Sequence, residues 1–456
     1  MALCLLTALT LGLGFANKAR CTGPEFDQQG RSEPAYQERS YAEVCYSDIQ
    51  DLWLGRDINH HVFPYVNGGM TEGGSLFGGT VEYPVLSGLL MWLGASFAHT
   101  DAGFLAASAL LLAPFGLATT WWLGRLSGRR ALLWALAPPL VLYAFHNWDL
   151  AAVACATAAV FAVHRWNPTS PRGRAFGAGS PRRRAFVAAA LLGTGFAVKI
   201  YPGLFALPLA LHVLTSGRSH AQEAGDARRG LDVRGALGVL GTAVGTAALL
   251  NLPFALFGFR GWLASFAFQS AREVDLSSNS IWYWAFRSQT DSDAFQSLVG
   301  TLSPILMAAS FALACWIGWR EYRRSGTYPW IQVSAAMLCG FLLLHKVHSP
   351  QYTLWLLPFF VLVSVRWGWI IAYLLADAAM GIGVFRWMYT GSGLGGGFEA
   401  QAVVIGVWGR AALLVGLYVA FLSARSTVER ADLSPADAPT ARLRSSPGVG
   451  RSDPEL

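Results

Sequence analysis

The chain has 456 residues, of which 54% are hydrophobic and only 13% are charged. Soluble domains carry about 25% charged residues, so this composition excludes an ordinary soluble enzyme and predicts that lipid or packed helices surround most of the chain. The net charge of +7 does not indicate a nucleic-acid partner, because the arginines lie in short connections between apolar runs, as in the cytosolic loops of membrane proteins.

The first apolar run, 3–16, is interpreted as a transmembrane helix because it lacks the basic start and the cleavage site of a signal peptide. It is short for a span of about 20 residues, and a cytosolic start upstream of the present numbering would complete it. Further runs with the hydrophobicity of bundle helices lie at 103–123, 131–145, 150–164, 186–199, 201–216, 235–257, 298–319, 330–344, 350–366, 367–385 and 400–423.

Arginine-rich connections orient these runs, because cytosolic loops of membrane proteins carry an excess of Lys and Arg. Placing all of them inside predicts twelve spans with both termini cytosolic. The apolar segment 84–98 is then not a span but a helix on the outer membrane surface. The arginines used are Arg125, Arg129, Arg130, Arg165, Arg172, Arg174, Arg182, Arg183, Arg184, Arg218, Arg228, Arg229, Arg234, Arg320, Arg323 and Arg324.

This topology divides the chain into a transmembrane domain, 1–425, and a tail, 426–456, whose Ser, Pro, Ala, Arg and Asp predict disorder. Within the domain, 17–102 becomes one large external loop. Cys21 and Cys45 both lie in that loop and are able to form a disulfide if it faces an oxidising compartment.

Polar clusters that were not used to derive the topology all fall on its outer side. Ionisable groups at membrane depth are costly and usually mark a substrate path, so we expect the functional site at this face. The clusters are CYSDIQD at 45–51, HNWD at 146–149, VKIYP at 198–202, SSNSIWYW at 277–284 and HKVHSPQY at 345–352.

Two of these clusters contain candidate reactive groups. Asp48 follows the first helix, and a carboxylate there suits a general base toward an acceptor hydroxyl. The alternative is a solvated loop acid, a description that Asp51 and Asp57 share. Lys199 stands before a helix break at Pro202. Its ammonium either extends to the membrane interface or binds a phosphate.

The HKVHSPQY cluster is the most polar. Lys346 with His345 and His348 offers donors to one oxyanion, and Ser349 with the following proline is typical of a helix start, which favours an anion. A zinc site built from His345, His348 and Asp149 has only an i, i+3 spacing across a helix break in its favour. We therefore predict no metal ligands and no cofactor, and leave dependence on a divalent metal open.

The remaining clusters suit carbohydrate. Asn147 and Asp149 need partners at membrane depth, which sugar hydroxyls would supply. Asn279 beside Trp282 combines a polar group with a flat aromatic face, although an interfacial aromatic belt explains the tryptophan equally well.

In this order the clusters resemble the GT-C superfamily of polytopic glycosyltransferases, and most closely glycosyltransferase family 87, the actinobacterial polyprenyl-phosphate-mannose-dependent mannosyltransferases. The resemblance covers about 1–425, and its most specific element runs from Lys346 to Pro358. The family usually has Gly-Gln-x-Asn where this chain has HNWD, and the KIYP element is also similar to the eukaryotic GPI mannosyltransferases. The other matching elements are Asp48, Glu82-Tyr83-Pro84, Lys199-Ile200-Tyr201-Pro202 and Asn279-Ser280-Ile281-Trp282.

The resemblance implies an all-α bundle of about 12 transmembrane helices that transfers a hexose, with mannose expected, from a polyprenyl-phosphate donor to a lipid or glycan acceptor. Transfer would invert the anomeric centre at the external face of the plasma membrane, with Asp48 as base. The donor phosphate would be bound by Lys199, His345, Lys346 and His348. Sugar and acceptor contacts would come from Asn147, Asp149, Tyr201, Asn279, Trp282, Gln351 and Tyr352.

Two other classes remain open at this point. A polytopic transporter or flippase has the same composition but is expected to show internal two-fold repetition, which the chain lacks. A lipid-linked polymer ligase usually carries its large external loop late in the chain, whereas the longest loop here follows the first helix.

Overall fold

The computed structural model describes residues 1–164, 181–223, 230–390 and 397–428. Helices dominate these residues, and two short antiparallel hairpins, Glu25–Phe26 with Ser32–Glu33 and Gly69–Met70 with Leu76–Phe77, lie in the first long loop. The bundle helices are Ala2–Ala19, Asp101–Ser127, Leu132–Ala135, Pro138–Tyr143, Asp149–His164, Pro181–Val198, Ala206–Glu223, Val233–Phe257, Asp293–Ser325, Trp330–Leu344, Thr353–Leu362, Trp367–Thr390 and Phe398–Ser423.

Shorter helices connect the bundle helices or cover one end of the bundle. The α-helices of this group are Tyr36–Ala42, Asp48–Gly55, Val85–Ala95, Tyr201–Leu204, Phe259–Ala271 and Ile281–Phe286. The 3₁₀ turns are Ile58–His60, Gly128–Ala131, Leu276–Ser278, Arg287–Gln289 and Pro350–Tyr352.

All twelve predicted apolar runs contain helix, and 6 helices in the described residues are long and apolar enough to cross a membrane by themselves. The shorter ones are enclosed by the others: every residue of Thr353–Leu362 is buried. Helix ends at membrane depth therefore face protein rather than lipid, as backbone polar groups require. The chain is an all-α, multi-pass membrane protein, which confirms the predicted fold class.

The run 131–145 is not the single uninterrupted helix that its hydrophobicity predicts. The helix Leu132–Ala135 ends, and a second helix, Pro138–Tyr143, begins with two prolines. Proline lacks a backbone N–H, so it suits the first turn of a new helix and interrupts a continuing one.

The first long loop, predicted to be external, contains the disulfide that the sequence left open, between Cys21 and Cys45. The apolar segment that was excluded as a span forms the helix Val85–Ala95, whose 11 residues are too few to cross a bilayer. This helix packs against Asp101–Ser127 and Pro181–Val198.

The predicted tail begins against the bundle. Ser426 pairs with Val363, and the Thr427 hydroxyl donates to the Val361 carbonyl at 2.9 Å. The rest of the predicted disordered segment, 429–456, lies outside the described residues.

One end of the bundle gathers the described arginine-rich connections. The Arg130 guanidinium donates to the carbonyls of Phe360 and Val363, beside the docked start of the tail. Successive helices cross the bundle in alternating directions, so the five polar clusters lie at the opposite end.

Candidate active site

A cavity of about 630 Å³ occupies this opposite end, and all five polar clusters contribute to its lining. The first long loop also contributes Arg56 and Tyr83 to the lining, and the helix Phe259–Ala271 with the residue after it adds Gln269 and Arg272. Segments far apart in sequence therefore meet around one space large enough for a sugar and a phosphate.

Asp48 is positioned by the start of its own helix. Ser47 caps the helix by accepting the Ile49 N–H at 3.2 Å and donates its hydroxyl to the Phe145 carbonyl at 2.7 Å. The Asp48 N–H donates to the His146 carbonyl at 2.9 Å. The helix start is thus fixed on the HNWD turn, and Asp48 lies at the cavity wall.

One oxygen of the Asp48 carboxylate is held by hydrogen bonds from neighbouring side chains. Its Oδ2 accepts from Asn147 Nδ2 at 2.7 Å and from the Tyr83 hydroxyl at 3.4 Å. The His146 Nε2 lies 3.8 Å from Oδ1, but burial lowers the pKa of His146 to about 4 despite the neighbouring carboxylate. His146 is therefore neutral at pH 7 and does not form an ion pair with Asp48.

Asp51 lies on the same helix as Asp48. Burial first, and the nearby charge of Asp48 second, raise the pKa of Asp51. Two neighbouring carboxylates disfavour each other's charge, so the charge of Asp48 makes ionisation of Asp51 more costly.

Lys199 lines the cavity and is held in place by buried neighbours. Its ammonium lies 3.6 Å from Asp149 Oδ1 and 4.4 Å from the centre of the Tyr83 ring. Asp149 does not line the cavity; it is fully buried and accepts the Trp355 Nε1–H at 2.8 Å. Asp149 thus holds a lysine and a tryptophan in place, and compensates part of the lysine charge.

Aromatic rings line the cavity beside Lys199. Trp355 lies between Tyr201 and Tyr352, with ring centroids 4.2 and 4.0 Å away. This stack fixes all three rings at the cavity wall.

Arg272 is the main functional candidate that the sequence reasoning missed. It follows the helix Phe259–Ala271, lines the cavity, and has no hydrogen-bond acceptor or carboxylate partner among the residues that the structure describes. In the predicted topology Arg272 lies on the external side, against the positive-inside bias, and that departure was the available signal.

The HKVHSPQY residues do not act as one group. His345 lines the cavity, and burial lowers its pKa, so it adds no positive charge at pH 7. Lys346 is turned away and donates its ammonium to the Ser270 carbonyl at 3.0 Å. His348 is buried behind the wall with 2% of its surface exposed. The predicted cradle of three donors is therefore not assembled in this structure.

The other predicted residues also divide into those that line the cavity and those that do not. Trp282 lies outside the cavity lining and donates its Nε1–H to the Leu344 carbonyl at 2.9 Å. The predicted residues that line the cavity are Asp48, Asn147, Lys199, Tyr201, Asn279, His345, Gln351 and Tyr352.

The zinc site considered from sequence is not assembled. Among the described residues, no three His, Cys, Asp or Glu side chains lie close enough together to hold a metal ion.

The fold and the cavity describe a membrane protein with a polar site at one end of its helical bundle. Sequence comparison gives its family. Residues 180–418, more than half of the chain, match the family model described as Mannosyltransferase (PIG-M). The chain belongs to this family and is a glycosyltransferase, which confirms the predicted enzyme class and the GT-C resemblance. Membership of glycosyltransferase family 87 stays a prediction.

Two solved structures are distantly similar. One is ArnT from Cupriavidus metallidurans bound to undecaprenyl phosphate, with 15% identity, a TM-score of 0.35, and coverage of 92% of this chain and 76% of ArnT. The other is the apo oligosaccharyltransferase from Archaeoglobus fulgidus, with 12% identity, a TM-score of 0.33, and coverage of 91% and 55%. No curated protein matches the chain.

Proposed function

We propose that the protein transfers mannose from a polyprenyl-phosphate donor to a hydroxyl of a lipid or glycan acceptor, with inversion, at the external face of the plasma membrane. The family supports a mannosyl transfer. The observation that carries the mechanism is the Asp48 carboxylate, held at the wall of a cavity that also contains Lys199 and Arg272.

Asp48 acts as the general base. Its Oδ2 is engaged by Asn147 and Tyr83, whereas Oδ1 accepts no hydrogen bond from the described residues. This oxygen takes the proton of the acceptor hydroxyl while the hydroxyl oxygen bonds to the anomeric carbon. The bond from that carbon to the donor phosphate breaks, and the phosphate leaves with the electron pair.

Lys199 and Arg272 stabilise the departing phosphate. Asp149 compensates part of the Lys199 charge, so the unpaired guanidinium of Arg272 supplies most of the excess positive charge. Charged donors placed where negative charge develops favour the transition state over the ground state. Asn147, Tyr201, Asn279, His345, Gln351 and Tyr352 supply the remaining contacts to sugar and acceptor.

The external location is supported by two independent features. The cavity lies at the end opposite the described arginine-rich connections, which positive-inside bias places in the cytosol. The Cys21–Cys45 disulfide lies near the cavity end, and disulfides persist in oxidising compartments outside the cytosol.

The test is sugar transfer by the purified protein from polyprenyl-phosphate mannose to a membrane lipid extract. Asp48→Asn keeps the shape and removes the base, so we expect kcat to fall by about a thousandfold. Asp291→Asn changes an exposed acid outside the cavity and should leave kcat unchanged.

Thermal unfolding of both variants in detergent shows whether they fold like the wild type. Full transfer by a folded Asp48→Asn would remove Asp48 from the base role. Binding of the donor lipid without transfer by the wild type would refute the proposed reaction.

A further inference from the structure

A second, much smaller cavity lies behind the wall of the catalytic cavity. Its volume is about 10 Å³, and its lining is apolar except for Asn279, Ser280, His348 and Arg410. Asn279, His348 and Arg410 are 4%, 2% and 3% exposed. Each has a buried polar atom without a hydrogen-bond partner among the described residues: Asn279 Oδ1, His348 Nε2 and Arg410 Nη1.

The donor and acceptor roles of these atoms follow from their other contacts. His348 Nδ1 lies 3.1 Å from the Leu342 carbonyl, which only accepts, so Nδ1 carries the proton and Nε2 presents a lone pair. Burial and the charge of Arg410 lower the pKa of His348, which keeps the ring neutral. Asn279 Nδ2 donates to the Ser277 carbonyl at 3.2 Å, so its Oδ1 is the atom left to accept. Arg410 offers only N–H donors.

We propose that one ordered water molecule occupies this small cavity, accepts a hydrogen bond from Arg410 Nη1, and donates to His348 Nε2 and Asn279 Oδ1. The volume matches a single water. Two donors and an acceptor site are what one water provides, and leaving three buried polar atoms unpaired would be costly.

The water makes Arg410 a positioning residue for the catalytic cavity. Asn279 lines both cavities and has a positive φ of 46°, a left-handed conformation that asparagine tolerates better than most non-glycine residues. The backbone N–H of His348 donates to the Ser278 carbonyl at 2.6 Å. The water therefore connects two loops of the cavity wall to the helix Phe398–Ser423.

The same helix is tied to a third wall segment. Arg410 Nη1 lies 3.7 Å from Asp377 Oδ1, and Asp377 accepts a hydrogen bond from the Thr353 hydroxyl. Thr353 directly follows Gln351 and Tyr352, which line the catalytic cavity. Arg410 thus fixes the wall from behind without touching substrate, an assignment that rests on the proposed function of the cavity.

A direct test uses the wild-type protein and needs no substrate. A high-resolution density map should show a water peak within hydrogen-bond distance of all three atoms. Nitrogen-15 NMR of labelled histidine should report a neutral His348 with the proton on Nδ1. An empty cavity, or a proton on Nε2, would overturn the proposal.

A kinetic test measures the connection to catalysis with polyprenyl-phosphate mannose as donor. Arg410→Gln and His348→Leu should each lower kcat/KM by roughly tenfold, and the double variant by about the same factor, because both changes remove one shared network. Losses that multiply to about a hundredfold would refute the coupling. Arg366→Gln, at an exposed arginine of the other end, is the control.

The two tests distinguish failure of the water-site proposal from failure of the proposed function. Absent transfer by the wild type would count against the proposed function alone, since the density map and the histidine spectrum still decide the water site.

Discussion

Arg272 and Lys199 both bring positive charge to the cavity, but only Lys199 has a carboxylate partner in the described part of the chain. An ammonium compensated by Asp149 serves mainly to fix geometry, together with Tyr83 and Trp355. An uncompensated guanidinium is the stronger site for a phosphate, because it offers two parallel N–H donors to two oxygens.

Replacing Arg272 should therefore impair use of the donor. We expect Arg272→Gln to lower kcat/KM for polyprenyl-phosphate mannose by roughly thirtyfold, which corresponds to about 2 kcal/mol for a hydrogen bond to a charged group. Steady-state transfer kinetics at varied donor concentration measure this effect.

Arg260→Gln is the matched control, since Arg260 lies on the helix preceding Arg272 but is exposed and outside the cavity. Equal losses in both variants would mean that general surface charge, rather than a specific contact of Arg272, attracts the donor.

The helix Asp48–Gly55 shows how one short element is placed. Eight residues are too few for a stable helix in isolation, so its position depends on tertiary contacts. The Ser47 cap and the His146 carbonyl hold its first turn. The disulfide joins the segment that precedes this helix to the end of the first helix.

Removing the disulfide should loosen this element. The crosslink has a sequence separation of 24, for which chain entropy predicts a loss of about 3.5 kcal/mol in the free energy of unfolding. We expect the double variant Cys21→Ser, Cys45→Ser to unfold at lower temperature in detergent and to lose transfer activity before it unfolds globally.

Cys4→Ser, at a free cysteine of the first helix, controls for the substitution itself. An unchanged melting temperature in the double variant would show that the bundle contacts alone hold the helix that carries Asp48.

The whole molecule has its apolar surface on the outside and its short buried helices inside. Long helices such as Val233–Phe257 and Asp293–Ser325 have only 22% and 17% of their apolar windows buried, so most of their surface is left for lipid. The short buried helices surround the cavity from inside this belt. The polar groups around the cavity are thus enclosed by helices rather than exposed to hydrocarbon.

Sidedness is testable with added cysteines. Glu72→Cys, in the exposed tip of the hairpin Gly69–Phe77, should react with a membrane-impermeant maleimide in intact cells. Ser325→Cys, at the exposed opposite end, should react only after permeabilisation. The wild type, with its native cysteines, supplies the background, and the reverse labelling pattern would place the cavity in the cytosol.

Much of the site was predictable because its residue types conflict with their surroundings. A carboxylate, a lysine and two histidines between apolar runs are costly unless they serve a purpose, and this cost was visible without coordinates. Arg272 was less visible, since it stands in a polar stretch where a charged residue costs little, and only its departure from the positive-inside bias marked it.

The HKVHSPQY cluster shows what the sequence could not predict, namely the directions of its side chains. His345, Lys346 and His348 are within four residues of each other, yet one lines the cavity, one points outward and one lies behind the wall. The loop between Trp330–Leu344 and Pro350–Tyr352 is not helical, so no periodicity relates the directions of its side chains.

By itself, the sequence determined the membrane bundle and the end of it at which the polar clusters gather, because hydrophobicity and charge act over whole segments; the orientation of the bundle in the membrane stays a prediction. It also determined the enzyme class through motifs that survive in order along the chain. Only the tertiary structure decided which side chains reach the cavity, that Asp149 supports Lys199, and that Arg410 lies behind Asn279. Those outcomes depend on packing between segments that are far apart in the sequence, where the direction of one side chain is set by neighbours that the local sequence does not contain.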